Sequence, residues 1–149
     1  MDGFKLLKQD HDRVKRLCEE LDEANTTERR RQLFAEIEGE VKLHEECEEK
    51  VLYPTLRDHP KLKDIVLEGY QEHHVVDLIM GELRNLNPSD ETWPAKAKVM
   101  HENLEHHIEE EEGKMFPKAR KEMSEDEIKE LGRQMQAIKD QKFRLPDAA

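Results

Sequence analysis

Two segments of this chain repeat one another, and the repeat constrains the fold more than any other feature of the sequence. The segments are HEECEEKVLYP at residues 44–54 and HIEEEEGKMFP at residues 107–117. His44 aligns with His107 and Glu48 with Glu111, at a constant offset of 107 − 44 = 63 residues. The apolar positions that lead up to each histidine repeat at the same offset. The chain is therefore predicted to consist of two helical hairpins of one design.

The rest of the sequence is typical of helices. Apolar residues recur with a helical period, and no alternating pattern is long enough for a β-strand. Only 35% of the residues are hydrophobic while 41% are charged, as in long helices with one apolar stripe and broad solvated faces. For 149 residues we predict one all-α domain, an antiparallel up-down-up-down four-helix bundle with a short fifth C-terminal helix.

Turn and capping signals divide the chain into five predicted helices. Their approximate bounds are 4–24, 28–57, 62–86, 93–120 and 124–143. A capping box that begins at Ser124 opens the fifth helix. Pro54 and Pro117 are predicted to kink or terminate their helices. The predicted organisation is a bundle of residues 1–121, an appended helix of residues 122–144 and a frayed tail of residues 145–149.

Each repeat places a histidine and a glutamate four residues apart, and such a pair lies on one face of a helix. That face is the apolar stripe, so a glutamate is predicted inside the bundle twice. Burying an ionised carboxylate is costly unless it is paired or binds a metal, which favours a metal site over a solvated charged face. An inward histidine on the first helix of each hairpin completes the predicted ligand set. The set is His11, His44, Glu48, His73, His107 and Glu111.

Imidazole and carboxylate ligands without thiolate suit iron, manganese or zinc, and two carboxylates can bridge two ions. Glu45, beside His44, is a candidate acceptor for the second N–H group of a ligating imidazole. The aromatic residues Tyr53, Phe116 and Trp93 are predicted to pack rather than react.

The choice between the neighbours His73 and His74 rests on helix register. The offset of 63 pairs His11 with His74, but the apolar residues three, six and ten positions after His11 are matched only after His73. One helical residue turns a side chain by about 100°, whereas a loop absorbs an insertion at little cost. We therefore predict His73 as the ligand. His74, His101 and His106 are predicted on the surface, and His59 in a turn.

From about residue 4 to residue 120 the chain resembles the hemerythrin-like HHE cation-binding domains. The resemblance rests on DH at residues 10–11, EH at residues 72–73 and the two repeated segments, in that family's order. It implies a non-haem di-iron centre of two iron ions, oxo- or hydroxo-bridged, with both glutamates as bridges. It also implies small ligands such as dioxygen, peroxide or nitric oxide.

The sequence departs from the oxygen-carrying hemerythrins at one position. Those proteins have a further histidine one turn after the third-helix histidine, and this chain has Asp77 there. Either Asp77 ligates as a carboxylate, or that iron has an additional open position.

Three functional classes remain open at this point. The chain is expected to be an iron-binding protein that senses, binds or scavenges small oxidants. The alternatives are a di-iron enzyme (peroxidase, oxidase or nitric-oxide reductase) and a metal-stabilised interaction module. A ferritin-like protein is less favoured, because that fold uses Glu-x-x-His order.

Charge and cysteine content bound the partners and the setting. A net charge of −11 disfavours nucleic acid and anionic membranes as partners. The two cysteines lie far apart without metal-ligand spacing, which favours a reducing cytoplasm. The oligomeric state is left open.

Overall fold

The computed structural model describes residues 1–144, and these residues form an all-α bundle. The α-helices are α1 (Gly3–Glu23), α2 (Thr27–Cys47), α3 (Tyr53–Arg57), α4 (Lys63–Arg84), α5 (Trp93–Glu110), α6 (Phe116–Glu122) and α7 (Glu125–Arg144). Two π-helical turns, π1 (Glu48–Leu52) and π2 (Glu111–Met115), join α2 to α3 and α5 to α6 without a break. The four rods of the bundle are therefore α1, α2–π1–α3, α4 and α5–π2–α6. The predicted fold class, with its fifth C-terminal helix, is confirmed.

Side chains cap several helices where the sequence has cap residues. Asp2 accepts a hydrogen bond from the Lys5 amide at 2.8 Å at the start of α1. The capping box of α7 is complete: Ser124 Oγ accepts from the Glu127 amide, and the Glu127 carboxylate accepts from the Ser124 amide. These bonds satisfy amide groups that have no partner inside the helix.

The two long predicted helices, 28–57 and 93–120, are each interrupted by a π turn. The Tyr53 amide bonds to the Glu48 carbonyl, and the Phe116 amide to the Glu111 carbonyl, five residues back in each case. A proline directly follows each of these amides, near the start of the next α-helix, where the missing N–H group is tolerated. The irregularity therefore lies before each proline. A π turn within an α-helix is frequently found at a functional site.

The apolar core is divided into two parts by a layer of buried polar side chains. One part includes Leu7, Leu56 and Met135, and the other includes Ile37 and Met80. Along each rod, the polar layer lies between the residues that belong to one part of the apolar core and those that belong to the other. Its members are His11, His44, Glu48, His73, His107 and Glu111.

Helix α7 packs against α1, α2 and π1. Its residues Ile128 and Leu131 are buried in the same part of the core as Phe4. At the crossing with the start of the chain, a Cβ atom on Gly132 would overlap the backbone of Met1, so the close approach requires a glycine. The division into residues 1–121 and 122–144 stays a prediction, and the predicted tail, 145–149, lies outside the described residues. None of the helices within residues 1–144 is long and apolar enough to cross a membrane.

Candidate metal centre

Two groups of four buried side chains lie at the centre of the bundle and share both glutamates. The first group is His11, His44, Glu48 and Glu111, and the second is Glu48, His73, His107 and Glu111. Within each group, one ligand atom from every residue lies within 4.8 Å of the others. All four rods contribute. Glu48 and Glu111 belong to both groups, so each carboxylate could be shared by cations held in the two groups.

All four histidines reach the glutamates through Nε2. The His11 Nε2 atom lies 3.0 Å from Glu111 Oε1, and the His44 Nε2 atom lies 3.3 Å from Glu48 Oε1. In the second group, His73 Nε2 lies 2.9 Å from Glu48 Oε1 and His107 Nε2 lies 3.2 Å from Glu111 Oε2. The pseudo-symmetry of the sequence is thus reproduced in the contacts.

The buried negative charge at this position fits bound cations. Glu48 and Glu111 are both fully buried. Within the described part of the chain, Glu48 Oε2 is buried without a hydrogen-bond partner. An unpartnered carboxylate oxygen in an interior is costly, and a metal ion is the kind of partner that removes the cost. The chemistry of the donors, imidazole with shared carboxylate, agrees.

The titration behaviour of the groups shows how strongly they interact. Burial and the Glu111 charge raise the pKa of Glu48, but His44 and His107 outweigh them and lower it to about 2. Burial likewise raises the pKa of Glu111, but His107 and other hydrogen bonds hold it well below its usual value. For the four histidines burial lowers the pKa, yet the carboxylates outweigh it and the pKa of each is raised.

A second set of carboxylates accepts a hydrogen bond from Nδ1 of each imidazole, the ring nitrogen that points away from the cluster. The pairs are His11 with Glu112 at 2.6 Å, His44 with Asp10 at 3.0 Å, His73 with Glu49 at 2.9 Å and His107 with Glu72 at 2.6 Å. Each carboxylate is the chain neighbour of a candidate ligand on the preceding rod, so every rod orients the histidine of the next and the ring closes. An N–H group donated from Nδ1 leaves Nε2 free to bind a metal.

This ring differs from the sequence prediction for Glu45. Glu45 does not accept from an imidazole, because Asp10 already occupies His44 Nδ1. The four carboxylates that form the ring were not singled out from the sequence. The available signal was their position, since each directly precedes or follows a candidate ligand.

The structure brings His73 to the cluster and leaves His74 exposed on α4. It does not bring Asp77 to the cluster. The Asp77 side chain is 36% exposed and its Oδ1 atom accepts a hydrogen bond from Lys42 Nζ at 2.9 Å. The sequence left two alternatives: Asp77 as a ligand, or an additional open position on the metal. The placement of Asp77 agrees with the open position. Metal ligation by the six named residues stays a prediction.

Tyr53 does more than pack. Its hydroxyl group donates a hydrogen bond to Glu111 Oε2 at 2.6 Å and lies 3.3 Å from Glu48 Oε1. Burial and the charges of these two glutamates raise the pKa of Tyr53 well above its usual value, so the hydroxyl keeps its proton. The Tyr53 ring stacks on His73, as the Phe116 ring stacks on His11. Phe116 has no hydroxyl group, so the two halves of the site differ here.

A small cavity reaches the histidines. It has room for a molecule of about the size of water, and its wall is mainly apolar. The lining residues are His11, Val14, Val41, His44, Glu45, His73, Val76, Leu104, His107 and Ile108. Glu45 is only 6% exposed, and burial together with the neighbouring Asp77 carboxylate raises its pKa to about 8.

The fold and the cluster define a helical-bundle protein built around a cation site, and comparison with known proteins agrees. Residues 2–119 match the model of the hemerythrin HHE cation-binding domain. The chain therefore belongs to the hemerythrin HHE cation-binding domain family, which confirms the resemblance seen in the sequence.

Two relatives extend the comparison. An HHE cation-binding domain-containing protein from Mycobacterium kansasii has a similar crystal structure, with a TM-score of 0.81 and 28% sequence identity. That match covers 95% of this chain and 86% of the other. A protein of Nostoc sp. named DNA nickase is 24% identical over 134 residues, which are 90% of this chain. This chain spans only 38% of the length of the Nostoc protein.

Proposed function

We propose that this chain holds two iron ions between its two groups of four ligands and interacts with dioxygen or a related small oxidant. Its role would be to sense, bind or scavenge that oxidant. The observation that carries the proposal is the pair of four-residue groups that share Glu48 and Glu111 beside an apolar cavity. Membership of a cation-binding family supports the metal, the imidazole and carboxylate donors are compatible with iron, and the resemblance to hemerythrin-like domains favours iron over manganese and zinc.

Each group supplies two imidazoles and two shared carboxylates, which leaves coordination positions open on an ion that takes six ligands. Asp77 lies outside the cluster, so it does not fill one of these positions. When bound, an iron pair supplies reversible electron transfer to a small ligand. The protein supplies the position, the shielding and the hydrogen bonds.

The cavity indicates which molecules suit the site. Apolar walls from Val14, Val41 and Leu104 favour uncharged ligands, and the small volume favours molecules of about the size of a diatomic one. Dioxygen and nitric oxide satisfy both conditions, and hydrogen peroxide is only slightly larger. Glu45 also lines the cavity, and its Oε2 atom is buried without a hydrogen-bond partner among the described residues, so a polar group of a bound ligand can contact it.

A di-iron enzyme (peroxidase, oxidase or nitric-oxide reductase) is the second candidate. The observation that favours it is Glu45, a buried carboxyl group in the cavity wall, because turnover of an oxidant consumes protons and a carboxyl group there can carry them. The activity in the name of the Nostoc relative does not carry over, since this chain spans only 38% of that protein and its net charge of −11 disfavours nucleic acid. Two free cysteines support a reducing cytoplasm as the setting.

The test is metal analysis and an optical spectrum of the freshly purified protein. We expect about two iron ions per chain, in keeping with the two groups of ligands, and the near-ultraviolet absorption of a ferric pair. Glu48→Ala combined with Glu111→Ala should abolish binding and leave helicity measurable by circular dichroism. The control is Glu36→Ala with Glu109→Ala, two exposed glutamates on the same rods. Tight binding of a single ion by the intact protein would contradict the dinuclear site.

The ligand is tested separately. Reduced, iron-loaded protein is mixed with dioxygen, hydrogen peroxide or nitric oxide, and the absorption spectrum is followed. A fast spectral change with one of these identifies the ligand, and consumption of many equivalents per chain identifies an enzyme. No change with any of the three would overturn the proposed function while leaving the metal site intact.

A further inference from the structure

Lys139 on α7 is a buried lysine. It is 6% exposed, and no other lysine among the described residues is classed as buried. A lysine inside a protein is unusual unless its charge is paired. The Lys139 ammonium group is paired: it forms an ion pair with the Asp10 carboxylate, which is itself 1% exposed.

Asp10 connects this lysine to the metal centre. One of its carboxylate oxygens, Oδ1, accepts from Lys139 and from Arg13. The other, Oδ2, lies 3.0 Å from His44 Nδ1. The contacts therefore run from α7 through Asp10 to a candidate ligand, and end at the nitrogen opposite the one that faces the metal.

The other half of the bundle provides an internal comparison. There Glu72 takes the place of Asp10: it directly precedes the first-helix histidine of its hairpin and orients His107. The Glu72 side chain is 23% exposed, and those of Glu49 and Glu112 are 41% and 25% exposed, whereas that of Asp10 is 2% exposed. Water reaches three of the four orienting carboxylates. Asp10, which contacts α7, is the exception.

This difference explains why α7 carries a lysine at this position. A buried carboxylate that lacks positive partners is costly, and it would turn away towards water. It would then stop accepting the Nδ1–H bond that orients His44. Asp10 has two positive partners: Arg13, whose side chain is 41% exposed, and the buried Lys139, which holds the carboxylate in place without water.

We propose that Lys139 is a positioning residue of the metal centre, and that docking of α7 and retention of metal at His44 stabilise one another. The inference rests on the proposed metal site, because it assumes that His44 Nε2 is a ligand. Coupling between two events is reciprocal, so whatever undocks α7 loosens the metal, and whatever removes the metal loosens α7. On this proposal the fifth helix belongs to the metal centre in function as well as in packing.

The first test measures metal release from full-length, iron-loaded protein into an excess of chelator. Lys139→Met, which keeps most of the length of the side chain and removes its charge, should release metal about 10-fold faster or more, as expected for loss of an outer partner. Lys139→Arg should restore most of the retention, because it restores the positive charge. Lys129→Met on the exposed face of α7 is the matched control and should release metal at the wild-type rate.

The second test measures amide hydrogen exchange in the wild-type protein with and without metal. Amides of α7 should exchange faster after metal removal, and the increase should be smaller in Lys139→Met. If the amides of α7 exchange at the same rate with and without metal in the wild-type protein, the proposal is overturned. This comparison does not need Lys139→Met to fold. Wild-type release rates from a folded Lys139→Met protein would also overturn the proposal. If the wild-type protein binds no metal at all, the proposed metal site itself fails, which the metal analysis shows before either test begins.

Discussion

Replacing Tyr53 with phenylalanine isolates one hydrogen bond at the centre of the site. The Tyr53 hydroxyl donates to Glu111 Oε2 at 2.6 Å, and the residue is completely buried. The substitution keeps the ring that stacks on His73 and leaves no cavity larger than an oxygen atom. Phe116 shows that the equivalent position in the other half accepts a phenylalanine. The change therefore tests the hydroxyl group alone.

The expected cost follows from the charge of the acceptor. A hydrogen bond to a charged group contributes about 1.5–3 kcal/mol, more than a neutral one. We expect the free energy of unfolding of the metal-free protein to fall by about 2 kcal/mol, which for a chain of this length lowers the melting temperature by roughly 4–8 °C. The assay is urea denaturation, in which the midpoint should fall while the slope stays constant.

Tyr70→Phe is the matched control for this experiment. The Tyr70 ring contacts the edge of the Tyr53 ring, and its hydroxyl group makes no hydrogen bond within residues 1–144 that the structure describes. Its removal should change stability by less than about 0.5 kcal/mol, as is usual for a surface group. Equal effects of the two substitutions would refute the argument, because the Glu111 contact would then contribute nothing measurable.

Three further predictions concern a ligand, a packing contact and pH. His73→Ala should lose roughly half or more of the iron and the exposed His74→Ala almost none, as measured by metal analysis; the reverse result would show that the register argument is wrong. Gly69→Ala would place a Cβ atom 2.7 Å from the Tyr53 hydroxyl oxygen, so it should destabilise the fold by about 1–3 kcal/mol in denaturation, whereas Gly81→Ala, with open space, should stabilise it slightly. The metal-free protein should be most stable between pH 4.5 and 6.5, the ordinary pKa values of glutamate and histidine, in melts across a pH series. The histidines, whose pKa values are raised, stop stabilising the folded state as the pH rises above this window. The glutamates, whose pKa values are lowered, stop stabilising it as the pH falls below the window. A stability that does not change with pH would contradict the network.

The helices and the six central residues were predictable because the information for them is local. A histidine and a glutamate four residues apart share a helix face wherever the helix lies, and the apolar stripe shows which face is buried. The register after His11 and after His73 could be compared without knowing how the rods pack. The structure places all six side chains together, with His74 outside.

The orienting carboxylates could not be predicted in the same way. Their partners lie 24 to 101 residues away along the chain, on other rods, so the pairing depends on how the rods are rotated and spaced. Glu45 was a reasonable candidate by chain position, yet its neighbour His44 turns its Nδ1 atom towards α1. The π turns were not predicted for a related reason. The period of the apolar stripe does not reveal one extra residue in a single turn, and the proline that follows each turn already accounted for an irregularity there.

The repeat also concealed what differs between the halves. An alignment finds the shared ligands, but Tyr53 aligns with Phe116, and Asp10 with a glutamate that stays open to water. A lysine on α7 would ordinarily be assigned to the surface, and only the contact with Asp10 accounts for the burial of Lys139. Both differences involve a contact with a candidate ligand. The Tyr53 hydroxyl group contacts Glu111, and the buried Asp10 carboxylate contacts His44. The two groups of candidate ligands are therefore inequivalent although their residue types match, so each half of the site has to be tested separately.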